Sequence, residues 1–146
     1  MKRLILFLCL FLATEGFAGG FEYNSKTGLV SDKKTKLFLF KAMPDYQNDG
    51  AYVYNLFSIG GMQVCSFLKR AYSDTTLTGS SYGQMKDYYK IVFYDGSQST
   101  ADIEFIEDKM KLIEILKQAN MLKGDELDEN AKLAFIKKYA LSATGR

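Results

Sequence analysis

The sequence predicts an α+β domain: an antiparallel β-meander of about six strands followed by a C-terminal α-helical hairpin. Three observations carry this expectation. From about residue 20 to residue 106 apolar residues alternate with period two, and aromatics make up 14% of the chain, which favours strands. Two stretches in that region match themselves across a turn in an antiparallel register. From about Glu107 the apolar period becomes helical.

The elements follow in order. Lys2 and Arg3 precede the uncharged run "LILFLCLFLA", Leu4 to Ala13. Spanning a bilayer takes roughly 20 apolar residues, so this run is too short for a transmembrane helix. Small residues at Gly16 and Ala18 flank Phe17, which fits a secretory signal peptide over residues 1–18, cut between Ala18 and Gly19. Cys9 lies inside the apolar run with no small residues before it, which argues against lipoprotein anchoring. Residues 19–146 then form one α+β domain, β-rich over 19–106 and helical over 107–143.

"GFEYNS" and "GLVS" flank Lys26-Thr27 and read as a short hairpin or one bent strand. "TKLFLFKAM", Thr35 to Met43, is a strand. "PDYQNDG", Pro44 to Gly50, is a turn that carries the chain's only proline. "AYVYNLFSI", Ala51 to Ile59, is the next strand. A two-residue Gly60-Gly61 turn pairs Phe57 with Val64, Asn55 with Ser66 and Val53 with Leu68, and on the other face Leu56 with Cys65 and Tyr54 with Phe67. Like meets like. A helix over Met62 to Tyr72 would also gather Val64, Leu68 and Ala71, but the register match favours a strand.

At "YYKIVFYDGSQSTADIEFI" a five-residue loop, Asp95 to Ser99, pairs Phe93 with Ala101, Ile91 with Ile103, Tyr89 with Phe105 and Lys90 with Glu104. Leu112, Ile115, Leu116, Ala119 and Leu122 mark the first helix, which Lys123-Gly124 is expected to end. Asp125 is expected to cap the second helix, whose early acids and late Lys137-Lys138 match the helix dipole.

The composition excludes whole classes of chemistry. There is no His, hence no Ser-His-Asp or Cys-His catalysis and no His-ligated zinc. No P-loop, dinucleotide fingerprint or Cys-x-x-Cys is present. Cleavage removes Lys2, Arg3 and Glu15 and leaves a net charge of +1, so no nucleic-acid partner is expected. No cofactor, metal site or mature membrane span is expected either. Cys65 is then the sole cysteine, and its expected state is a buried, unreactive thiol. Lys69 and Arg70 are its only nearby activators.

"DYQNDG" places Asp45, Asp49 and Gly50 as in an EF-hand loop, but Leu56 stands where the bidentate Glu is needed, so calcium binding is not expected. The run Asp125, Glu126, Asp128 and Glu129 reads as helix-start electrostatics. The stretch "SDTTLTGSSYGQ", Ser73 to Gln84, is long for a hairpin connection and rich in hydroxyls, which suits adaptable recognition. Candidate binding residues are Ser73, Thr75, Thr76, Ser80, Ser81 and Tyr82, with Tyr54 assisting although it reads first as a packing residue.

These readings point to an exported, secreted or periplasmic, non-catalytic binding or accessory protein that recognises a protein or cell-envelope component. The alternatives are a carrier of a small apolar ligand, with Leu56, Cys65, Tyr54 and Phe67 lining its pocket, and a carboxylate-dependent hydrolase, for which no acid pair stands out.

Overall fold

The computed structural model describes residues 16–18, 20–74, 84–94 and 99–139. Eight strands follow one another in one antiparallel sheet, each paired with its sequence neighbours. They are β1 (Gly16–Ala18), β2 (Phe21–Asn24), β3 (Leu29–Asp32), β4 (Thr35–Pro44), β5 (Tyr52–Ser58), β6 (Gln63–Asp74), β7 (Gln84–Phe93) and β8 (Thr100–Glu104). Helix α1 (Met110–Gln118), a small hairpin of β9 (Leu122–Lys123) and β10 (Glu126–Leu127), and helix α2 (Glu129–Tyr139) complete the described chain. The architecture is the expected α+β meander with helices at its end. No helix among the described residues is long and apolar enough to cross a membrane.

The strand count exceeds six for two reasons. First, residues 21–32 form a true hairpin. The Asn24 side chain accepts the N–H groups of Lys26 and Thr27, and Gly28 donates to the Asn24 carbonyl at 2.8 Å. Gly28 has φ +76, and a Cβ there would lie 2.7 Å from the Phe40 carbonyl oxygen, so only glycine fits. Second, β1 pairs with β2 through Gly16–Tyr23, Phe17–Glu22 and Ala18–Phe21. Its residues are the last of the expected leader, so a cut after Ala18 would make β2 the sheet's edge.

The β5–β6 hairpin keeps most of the expected register. Val53–Leu68, Tyr54–Phe67, Asn55–Ser66 and Leu56–Cys65 pair as read from the sequence, and residues 63–74 are strand. The turn differs. Phe57 faces Gln63 across a bulge rather than Val64, because Ser58 donates to Met62 and accepts from Gly61 around a three-residue loop, with Gly61 at φ +88. At the β7–β8 hairpin Phe93 donates to Ser99, so five residues, 94–98, separate the closing pair, one residue earlier than the expected Asp95 to Ser99. The ladder is displaced by two residues, however: Ile91 pairs with Ala101, Tyr89 with Ile103 and Lys90 with Asp102. A shift of two leaves every side chain on its expected face, so the alternation alone could not distinguish the registers.

One face of the sheet carries the core. Phe40, Leu56, Cys65 and Phe93 form one cross-strand row, and Phe67, Ile91 and Ala101 belong to the next; all are essentially inaccessible to solvent. Helix α1 presses Leu112, Ile113 and Leu116 onto this inner face, and Phe135 of α2 meets Phe93 edge-on at 6.5 Å. On the outer face Asn55 and Ser66 are nevertheless buried. The Gln63 amide donates to both, and the Ser66 hydroxyl donates to Asn55, which satisfies them.

The helices end differently from the expectation. Helix α1 stops at Gln118 because Asn120 takes φ 55, its N–H donates to the Lys117 carbonyl, and the Met121 N–H donates to that of Leu116. That is a Schellman closure with Asn in the left-handed position. Gly124 instead shapes the β9–β10 turn. Asp128, not Asp125, caps α2, accepting the Ala131 N–H at 2.9 Å. Asp125 reaches back to the Ile59 N–H and ties the second hairpin to the β5–β6 turn.

Candidate functional site: an aromatic groove beyond the helices

Strand β6 has 12 residues and β7 has 10, whereas α1 has 9 and α2 has 11. At ~3.3 Å per residue β6 runs to roughly 40 Å, while at ~1.5 Å per residue the helices reach only about 14 and 17 Å. The helices therefore cannot cover the whole inner face. Along β6 that face reads Cys65, Phe67, Lys69, Ala71, Ser73, and along β7, in register, Phe93, Ile91, Tyr89, Asp87, Met85. It passes from apolar to amphipathic where the helical cover stops.

The uncovered part forms a groove of about 390 Å³. Tyr52 and Tyr54 of β5, Lys69 of β6, Asp87 and Tyr89 of β7, and Phe105 and Glu107 beyond β8 line it, with Asn48 and Asp49 from the β4–β5 turn at its rim. Its aromatics are ordered by one another. Tyr54 stacks on Phe40 at 5.6 Å and lies 6.4 Å from Tyr89, which in turn stacks on Phe105 at 5.6 Å. Burial first, then Tyr54 and Asp87 nearby, push the Tyr89 phenol up to about 12, so it stays protonated at any ordinary pH.

The groove's charges are arranged around these rings. The Lys69 ammonium lies 2.8 Å from Asp87 and 4.7 Å from the centre of the Phe105 ring. Arg70 donates to Asp45 at 2.6 Å, and the Gln47 N–H donates to the same carboxylate. These bonds hold the Asp45 carboxyl below the usual carboxylate range, the Arg70 bond contributing most. Asp45 is thereby engaged in fixing the turn rather than open to a cation. Among the described residues no group of three or more acids or cysteines has metal-binding spacing.

Of the sequence-predicted binding residues, Tyr54 stands in the groove. Ser73 is exposed opposite Met85, on the same face and two cross-strand pairs beyond Lys69–Tyr89. Thr75, Thr76, Ser80, Ser81 and Tyr82 lie outside the described residues. The β6–β7 ribbon thus joins the groove to the hydroxyl-rich connection. Sequence reasoning missed Asp87, Tyr89, Phe105 and Glu107 as site residues, and took Lys69 only as a possible activator of Cys65. Lys69 is instead bound to Asp87. Cys65 is fully buried, and desolvation pushes its thiol far up, so it is a packing residue. The four residues expected to line a ligand pocket separate too: Leu56, Cys65 and Phe67 are core beneath the helices, and Tyr54 alone reaches the groove.

No known protein family, curated protein or solved structure matches this chain.

Proposed function

We propose that the chain is an exported, non-catalytic binding protein that recognises a protein or envelope component through the groove of Tyr54, Lys69, Asp87, Tyr89 and Phe105. The N-terminal charge and apolar pattern support export to the periplasm or the medium. The observation that carries the binding reading is the placement of aromatic faces and charged groups on an uncovered stretch of the sheet, continuous with the Ser73 to Gln84 connection. Aromatic rings with a polar handle recur where proteins meet partners, because they bury much area at little entropic cost. The groove's bases are held by carboxylates, Lys69 by Asp87 and Arg70 by Asp45, and Tyr89 keeps its proton, which suits recognition better than proton transfer.

The test is capture from a solubilised envelope extract by immobilised protein comprising residues 19–146. The wild type is expected to retain a defined component. Phe105→Ser, and replacement of Thr75 to Gly83 by a short Gly-Ser linker, are each expected to lose it while keeping a cooperative unfolding transition. Retention by both variants would remove the groove and the loop from the proposal.

A carrier of a small apolar ligand is the second reading, on a different observation. A recess of about 680 Å³ lies between the β8 end and the helices, lined by Ile103, Ile106, Ile115, Ala119, Phe135 and Tyr139 among others. Its size falls in the ordinary range for small-molecule sites. Native mass spectrometry of the purified protein distinguishes the readings: a co-purifying lipid-like mass favours the carrier, and a bare polypeptide mass counts against it.

A further inference from the structure

We propose that the groove takes the side chain of a lysine presented by its partner protein, the ammonium meeting Asp49 and Glu107 and the alkyl stem lying on the Tyr54 ring, which the buried Tyr89 backs from beneath. This rests on the groove being the recognition site.

Charge is the first argument. The chain carries a formal +2, yet the groove has an excess of acid. Its two basic residues are engaged, Lys69 with Asp87 and Arg70 with Asp45. Asp49 and Glu107 line the same groove and have no ion-pair partner among the described residues. Their two uncompensated charges sit beside low-dielectric aromatic walls, which concentrate the negative field in the groove.

The second argument is that the groove already holds a lysine. Lys69 places its ammonium over the Phe105 ring and against a carboxylate, the combination that recognises an alkylammonium group through ring quadrupole and charge together. That pair is substantially solvated, with side-chain exposures of 37% and 40%, so it contributes little to stability and is open to exchange. An incoming lysine would meet the same chemistry twice, once at Asp49 and Glu107 and once where Lys69 now sits. Acetylating the incoming amine removes its charge and should abolish the interaction.

The experiment titrates the 19–146 protein with the tripeptide acetyl-Gly-Lys-Gly-amide and follows the ring proton signals of Tyr54, Tyr89 and Phe105 by NMR. Saturable shifts are expected with this peptide and none with its Nε-acetyl form. Asp49→Asn combined with Glu107→Gln should weaken binding several-fold. Lys69→Met, which removes a positive charge and frees Asp87, should tighten it several-fold. A structural role for Lys69 predicts weakening instead. Equal binding of the acetylated peptide, an absence of ring shifts, or looser binding by Lys69→Met would each overturn the proposal. Glucosamine or ethanolamine binding as well as the peptide would overturn the assignment to a protein lysine. If these fail while Phe105→Ser still loses the captured envelope component, the groove remains the recognition site and only the lysine assignment falls.

Discussion

The inner face of the sheet has two regions built from the same strands. Under the helices, Leu56, Cys65, Phe67, Ile91 and Phe93 are completely buried and present no polar side chain. Tyr54, in the same cross-strand row as Phe67, and Lys69, Tyr89 and Asp87, one to two rows further on, share the same inward orientation but form a half-open, charged groove. Side-chain direction is identical in the two regions; only the cover differs. A pleated strand fixes which face a residue points to, and the length of the opposing helices decides whether that face becomes core or surface.

The largest expected effect separates the regions directly. Phe67→Ala should cost about 3–5 kcal/mol, as the loss of a fully buried ring does, whereas Phe105→Ala, at the groove's exposed wall, should cost about 1 kcal/mol or less. Urea unfolding of the two variants measures both. Equal costs would erase the distinction between core and groove.

Cys65 sharpens the comparison through pH. Its folded thiol is held far above the unfolded value of about 8.5, so above that pH the unfolded chain releases a proton that the native protein retains. Stability should therefore be unaffected below about pH 8 and fall by about 1.4 kcal/mol per pH unit above about 8.5. Under reducing conditions, Cys65→Ala should remove that slope at a cost of about 1 kcal/mol at neutral pH. Cys65→Ser should cost more, since the face offers its hydroxyl no partner. Maleimide should label the native thiol slowly and the unfolded one fast. Rapid native labelling would contradict the packing.

Tyr89 makes the same argument at the boundary between the regions. Its phenol titrates at about 12 in the folded protein against about 10 unfolded, so stability should fall as pH rises from about 10 to about 12, by up to roughly 2 kcal/mol. Tyr89→Phe should show a smaller loss over that window in thermal melts. An unchanged loss would place Tyr89 in solvent with the groove's charges.

The smallest effect belongs to the groove itself. Lys69→Met breaks a solvated ion pair and should change stability by no more than about 0.5 kcal/mol. A larger loss would mean the pair is structural and the groove closed.

The β5–β6 register was legible because apolar, polar and hydroxyl residues each met their kind around Gly60-Gly61, and a one-residue slip would have scrambled them. The bulge at Val64 was not, since it depends on Ser58 closing a three-residue loop. The β7–β8 offset was illegible for a different reason: a two-residue shift preserves both faces, and the choice falls to tertiary contacts such as Tyr89 stacked on Phe105. Leu122 fitted the helical period, yet Asn120 ended α1 two residues earlier through a left-handed closure that Asn adopts only in context. Of the candidate binding residues Tyr54 is the one that falls in the groove; Asp49 and Lys69 enter the sequence reading only in other roles, as a calcium ligand and a thiol activator.

By itself the sequence determined the α+β class, the period of each segment, the face on which Cys65 lies and the chemistry its missing histidines exclude. These follow from local alternation and residue type. The tertiary structure alone decided where the helical cover stops, and with it which inward-facing residues became a site. That boundary is a comparison of lengths between elements far apart in the chain, and the side chains it gathers come from four separate segments, so no local pattern encodes it.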